Sequence, residues 1–164
     1  METKMKLQVA CILSATVFAF AGAAGCNKNG SGGSGAAPNS CKINGSAWEA
    51  TTAGSYAEEG ITDKGAPALF LTLLKGDENA KFSKITVTLN TKPKAGTFPA
   101  GPDGCLFKRN EPTDASFFCK AGQVVITKAD AEHVEGTFSI DTKTWDDKES
   151  VKITDGAFNL KVKK

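Results

Sequence analysis

Along residues 41–164 the apolar residues recur at a period of two, and no segment there repeats at the helical period. Ile85, Val87 and Leu89 alternate with Thr86, Thr88 and Asn90. In the same way Val134, Phe138 and Ile140 alternate with Glu135, Thr137, Ser139 and Asp141. Successive side chains of an extended strand point to opposite faces, so this alternation predicts half-buried strands with one face inward. Ala68-Leu69-Phe70-Leu71-Thr72-Leu73-Leu74 is apolar on both faces and predicts a central strand, or one covered by a loop. Further strands are expected at Ala47 to Ser55, Ser116 to Lys120, Gln123 to Lys128 and Val151 to Lys163, separated by Gly, Pro, Asn and Asp clusters. Short strands at this spacing predict an all-β fold, a single antiparallel β-sandwich or partly open β-barrel.

Two turns are written into the strands themselves. Asn44-Gly45 is a two-residue hairpin turn between Ile43 and Trp48, and Trp48 is expected to close the core. In the last strand the inward positions Val151 and Ile153 are odd, whereas Phe158, Leu160 and Val162 are even, with Asp155-Gly156 between them. A β-bulge with Gly156 at positive φ absorbs the extra residue and keeps one long strand against Val134 to Thr142. An Asp-Gly hairpin is the alternative, disfavoured because its first arm is very short.

The N-terminal region has a different character. Lys6 is followed by an apolar run from Leu7 through Phe20, and then by Ala21-Gly22-Ala23-Ala24-Gly25 ahead of Cys26. The run is short for a bilayer span and leads into small residues, the pattern of a secretory signal peptide over residues 1–25, with Met5 an alternative start. Ala23-Ala24-Gly25-Cys26 resembles the bacterial lipobox, which implies cleavage before Cys26 and its lipidation. Leucine is commoner where Ala23 stands, and ordinary cleavage near Ala21 to Ala23, releasing a soluble protein, is the alternative. Residues 26–40, rich in Gly, Ser and Asn, lack the apolar content needed to fold and are expected to form a disordered linker spanning roughly 20 Å on average. By similarity to lipoprotein sorting, Asn27 in place of aspartate implies the outer membrane. Residues 41–164 then have the size of one domain with one core.

Acidic and basic residues nearly balance, 18 against 20, and are interspersed. Neither a basic stripe for nucleic acid nor a polybasic patch for lipid is present. His133 is the only histidine and stands beside no recognisable nucleophile motif, so no catalytic residues are assigned. Asp146-Asp147-Lys148-Glu149 lacks the spacing of a calcium loop and is expected at a solvated hairpin tip, and no C-x-x-C pair supports zinc. Neither a metal nor a cofactor is expected.

Export places the remaining thiols in an oxidising compartment. With Cys26 acylated, Cys41, Cys105 and Cys119 are left and one must be odd. Cys105 with Cys119 is favoured because the two bracket a Pro/Gly-rich loop; Cys41 with either is the alternative. That loop, Pro99 to Asp114, is the longest irregular stretch and holds the only arginine, so Phe107, Lys108 and Arg109 form a candidate recognition loop. The competing expectation is that Leu106 and Phe107 form one more edge strand.

The segments Cys41-Lys42-Ile43-Asn44-Gly45-Ser46-Ala47-Trp48-Glu49-Ala50, Gly122-Gln123-Val124-Val125-Ile126-Thr127-Lys128, Val134-Glu135-Gly136-Thr137-Phe138-Ser139-Ile140 and Ile153-Thr154-Asp155-Gly156-Ala157-Phe158 resemble the xINGxxWxA, GxVxIT, GTFSF and ITxGxF motifs of a family of small bacterial envelope lipoproteins of the Bacteroidetes type, with Cys41 where an aromatic residue is often found. The resemblance spans most of the β domain and implies fold and location; it brings no catalytic residue. The expectation is therefore a non-enzymatic lipoprotein of the cell envelope, anchored to the membrane through lipid, that binds an envelope protein or glycan or serves as a structural module. A lipocalin-like carrier of a small apolar ligand is the alternative, and it requires interior volume unfilled by side chains.

Overall fold

A computed structural model describes residues 39–102 and 104–164. The expected signal peptide, Cys26 and the expected linker up to Pro38 lie outside them. Ten strands follow: β1 (Ser40–Ile43), β2 (Ser46–Glu49), β3 (Thr51–Ile61), β4 (Pro67–Gly76), β5 (Phe82–Leu89), β6 (Gly96–Pro99), β7 (Cys105–Arg109), β8 (Ala115–Ala129), β9 (His133–Lys143) and β10 (Ser150–Lys163). No helix occurs among the described residues.

Seven of these strands close a barrel in the order β3-β4-β5-β7-β8-β9-β10, with β10 returning to β3. Neighbours in the ring are antiparallel except at the seam, where β10 runs parallel to β3 and pairs Val162 with Ala57 and Lys163 with Glu58. The expected all-β class is thus realised as a closed barrel, with one parallel pair in an otherwise antiparallel wall. Closure satisfies strand edges that an open sheet would leave exposed.

The alternation in the sequence becomes the inside and outside of this wall. Leu69, Leu71 and Leu73 on β4 stand opposite Leu89, Val87 and Ile85 on β5, and all six are buried. Phe138, Ile140 and Val134 on β9 and Ile153, Phe158 and Leu160 on β10 complete the far side of the core. Within the core, rings meet in two pairs, Phe107 with Phe117 at 5.7 Å and Phe138 with Phe158 at 6.3 Å. On β4 the outward residues Ala68 and Thr72 are buried as well, which accounts for a segment apolar on both faces.

β10 runs unbroken through the parity switch. Ile153 pairs with Ile140 and Gly156 with Phe138, so Thr154 and Asp155 together oppose one residue of β9. The bulge is therefore present and the Asp-Gly hairpin is not. Its left-handed residue, however, is Asp155 at φ 53, not Gly156. Aspartate tolerates that region better than most residues, and Lys42 on β1 pairs with its carboxylate at 3.0 Å. Gly156 is needed for a different reason: a Cβ there would lie 2.5 Å from the Phe138 ring.

Strand boundaries differ from the sequence expectation in three places. Ala47 to Ser55 is not one strand, because the chain turns at Ala50, whose N–H donates to Asn39 O at 2.8 Å, and β3 starts afresh at Thr51. Ser116 to Lys120 and Gln123 to Lys128 are one strand, β8, carried across Ala121-Gly122 by a register shift between Cys119 and Ala121. That shift moves the inward residues from odd (Phe117, Cys119) to even (Val124, Ile126), which is why the two halves looked separate. Finally, Pro99 to Asp114 is not an irregular loop, since Cys105–Arg109 forms β7 between β5 and β8. It is a strand within the ring and not an edge.

β1 and β2 form a hairpin on the outer part of β10, turning at Asn44 (φ 48) and Gly45 (φ 81), as the Asn-Gly signal requires. Trp48 on β2 is 7% exposed, joins the core and donates its indole N–H to Ser83 Oγ on β5 at 2.7 Å. It closes the barrel end that holds the β4–β5, β7–β8 and β9–β10 turns.

Candidate functional site

The two ends of the barrel are built differently. At the closed end Trp48, Phe107 and Phe117 fill the opening, and Arg109 lies over the Phe117 ring at 5.6 Å. The guanidinium also donates to Glu111 O at 3.2 Å and sits 4.0 Å from the Glu149 carboxylate. The strand takes Phe107 out of the recognition loop expected at Phe107, Lys108 and Arg109, in favour of the competing expectation of a strand at Leu106 and Phe107. Phe107 is 3% exposed and points into the core, because the alternation of β7 places Cys105 and Phe107 inward. Arg109 is engaged within the fold; Lys108 alone faces outward, 5.9 Å from the Phe82 ring.

At the opposite end the wall parts. β5 pairs with β7 only as far as Val87 with Cys105, while β6 pairs with β8 from Gly96–Ile126 to Pro99–Gln123 and has no partner on its other side. β6 and β7 thus follow one another along the same edge of β8. The chain between them swings toward β5, where Gly104 O accepts the Thr88 N–H at 2.8 Å. Ala100 N–H is bonded to Gly122 O, so by the alternation of a strand ladder the adjacent Pro99 lies on the free edge. Proline there has no N–H to leave unpaired, which blunts the edge against chance pairing.

The parted wall opens a cleft of about 820 Å³, within the size range of small-molecule sites. Ile61, Phe70, Leu89, Phe98, Pro99 and Pro102 supply its apolar lining, and Thr62, Asp63, Lys64, Thr88 and Asn90 its polar groups. Ile61 is 72% exposed, unusual for a large aliphatic side chain. It is held at the rim by the β3–β4 turn, where Thr62 N–H donates to Ala66 O and Gly65 N–H to Thr62 O, both at 2.8 Å. The barrel interior beneath is filled by side chains, Phe117, Ile85, Leu69 and Leu160 among them with essentially no exposure. A ligand would therefore sit at the mouth and not inside a hollow calyx.

Among the described residues, Asp63 and Lys64 are the charged groups of the lining. Near this end Asp130 accepts the backbone N–H groups of Glu132 and His133 at 2.9 and 2.8 Å and pairs with Lys128. Those two backbone donors, with Lys128, hold its carboxyl down at about 2; it shapes the β8–β9 turn. Among the described residues no cluster of three or more His, Cys, Asp or Glu is disposed to hold a metal ion.

Cys105 and Cys119 are joined in a disulfide, with Cα atoms 4.8 Å apart, just where the wall passes from β6 to β7. Cys41, opposite Trp48 on the hairpin, is the one free thiol among the described residues; burial pushes its pKa up to about 12 and keeps it protonated. The cleft residues Ile61, Phe70 and Phe98 were not singled out from sequence. Ile61 carries a signal, an isoleucine immediately before the polar turn Thr62-Asp63-Lys64-Gly65. No protein-family model, curated protein or solved structure matches the chain.

Proposed function

We propose that this protein is a non-catalytic binding module of the cell envelope, tethered by lipid at Cys26, whose ligand seats in the mouth of the barrel. The parted wall between β5 and β6 is the observation that carries this reading: an apolar-lined cleft with a polar turn at its rim, set on a rigid scaffold. Such a site suits a small ligand with an apolar body and a polar head, held by burial of the body and orientation of the head. The carrier reading is thereby narrowed from an interior pocket to the mouth. The lipobox-like Ala23-Ala24-Gly25-Cys26 and the resemblance to envelope lipoproteins support the location. The motif segments that carry that resemblance fall at the β1–β2 turn, β8, β9 and the β10 bulge, all framework positions.

Titration of the purified protein with a fluorescent long-chain carboxylate tests the site. Binding weakened at least tenfold by Phe98→Ala or Ile61→Ser is expected; equal affinity in both variants rejects the mouth as the site. Detergent partitioning of Cys26→Ser tests the anchor. Unchanged partitioning and processing would remove it.

A further inference from the structure

The closed end carries a feature the mouth does not use. Trp145, in the β9–β10 turn, is 87% exposed, and Phe118 on the outer face of β8 is 38% exposed; their rings meet edge to face at 5.8 Å. Leu106 pairs with Phe118 across β7 and β8, extending the apolar surface. An indole left almost wholly in water stabilises nothing inside the fold, and exposed aromatic clusters mark contact surfaces. The charges of the turn are spent on one another: Lys143 pairs with Asp147 at 2.5 Å and Lys148 with Asp146 at 2.9 Å. Lys108 and Lys120, on the outward faces of β7 and β8, have no acidic partner among the described residues. The patch is therefore aromatic at its tip, neutral around it and basic at its flank.

We infer that Trp145 and Phe118 dock on the headgroup region of the bilayer to which the chain is tethered. This inference rests on the anchor at Cys26. Tryptophan is favoured at that depth because one edge of the ring is apolar and its N–H is polar, and lysines at the flank suit anionic headgroups. The geometry of the tether supplies the occupant. Residues 27–38 separate Cys26 from Asn39, whose carbonyl accepts the Ala50 N–H on the β1–β2 side of the barrel. Fully extended they reach roughly 40 Å, and on average about 20 Å, against a barrel height of roughly 30 Å for tilted eleven-residue strands. On average the domain is thus held within its own height of the membrane, and a contact too weak to recruit a free protein becomes effective at the local concentration a short tether imposes. Docking by the closed end turns the mouth cleft toward the aqueous space.

The experiment uses the processed, lipidated full-length protein in vesicles of phosphatidylcholine with and without phosphatidylglycerol. Flotation reports the anchor. The Trp145 emission is taken as the difference between wild type and Trp145→Ala, so that Trp48 cancels. Expected are flotation of both proteins, a blue shift of the Trp145 emission on vesicles, loss of its iodide quenching and quenching by lipids brominated near the headgroup, all stronger with phosphatidylglycerol. Flotation with Trp145 still fully open to iodide overturns the docking and leaves the anchor standing. Failure to float overturns both. Protection from iodide without vesicles, rising with protein concentration, assigns the patch instead to a second copy of the chain and likewise overturns the inference.

Discussion

The closed end of the barrel and its mouth are made from the same kinds of side chain arranged to opposite effect. At the closed end Trp48, Phe107 and Phe117 point into the gap and their polar edges are matched, the indole by Ser83 and the Phe117 face by Arg109. At the mouth Phe70, Phe98 and Ile61 line a cleft that no other strand fills, because β6 and β5 diverge beyond the disulfide. On the proposed reading, the difference separates the side chains that hold the fold from those left for a ligand. A residue that points inward at the closed end should matter to folding and little to the ligand at the mouth, and one that lines the cleft the reverse.

Phe117→Ala tests the first half most severely. It removes a fully buried ring stacked on Phe107 and is expected to cost about 4 kcal/mol in urea unfolding. A loss below about 1 kcal/mol would mean the closed end is loosely packed. Removing the Cys105–Cys119 bridge frees a loop with a sequence separation of 14 and is expected to cost about 3 kcal/mol in the chain-entropy picture. Because the bridge stands where β6 gives way to β7, amide exchange should rise first in Gly96–Arg109, not at Trp48; uniform acceleration would contradict the division into two ends.

Cys41 sharpens the comparison through pH. Its thiol is neutral in the folded state, with a pKa of about 12 against a reference near 9. A raised folded value means the native state binds the extra proton, so this contribution is complete below about pH 9 and is lost as the pH rises toward 12. Wild type should lose up to about 1.4 kcal/mol per pH unit across that window relative to Cys41→Ala. Parallel stability curves would show that the thiol is solvated.

Smaller effects are expected from Trp48→Phe and Phe98→Ala. The first leaves Ser83 Oγ without its 2.7 Å partner, for about 1 kcal/mol. The second, at a half-buried position on a free edge, should cost less than about 1 kcal/mol while weakening the probe titration. If Phe98→Ala destabilises more than Trp48→Phe, the assignment of the ends is reversed.

How much of this was legible follows from the range over which each feature acts. Alternation is local, so β4, β5, β9 and β10 could be read from their own residues, as could the Asn44-Gly45 turn and the change of parity around Asp155-Gly156. β7 could be read only as far as a competing edge strand at Leu106 and Phe107: its five residues hold only two inward positions, Cys105 and Phe107, between glycine- and proline-rich flanks, and the basic pair Lys108-Arg109 invited a surface reading. That Phe107 is core depends on its opposite neighbours, Ile85 on β5 and Phe117 on β8. The cleft was invisible for the same reason, its walls coming from four segments between Ile61 and Gly104. Trp145 was masked by the acidic and basic residues around it, which predict a solvated turn correctly and say nothing of the indole.

The seam between β3 and β10 has a consequence for how the molecule breathes. It is the only parallel pairing in the ring and consists of two residue pairs, joining positions more than a hundred residues apart in sequence, whereas the neighbouring β9–β10 ladder has ten. Hairpins form from nearby residues, but this junction must wait for the rest of the wall and recovers few hydrogen bonds when it forms. It is therefore the first place the ring opens and the last to shut. The amides that face the seam, among Ala57, Glu58 and Lys163, should exchange through a sub-global opening well below the free energy of complete unfolding, whereas Val162, whose N–H donates to Glu132 O on the β9 side at 2.7 Å, should stay protected. The barrel is in effect a folded sheet with a clasp, and the clasp lies on the strand that begins at the closed end and ends at the mouth.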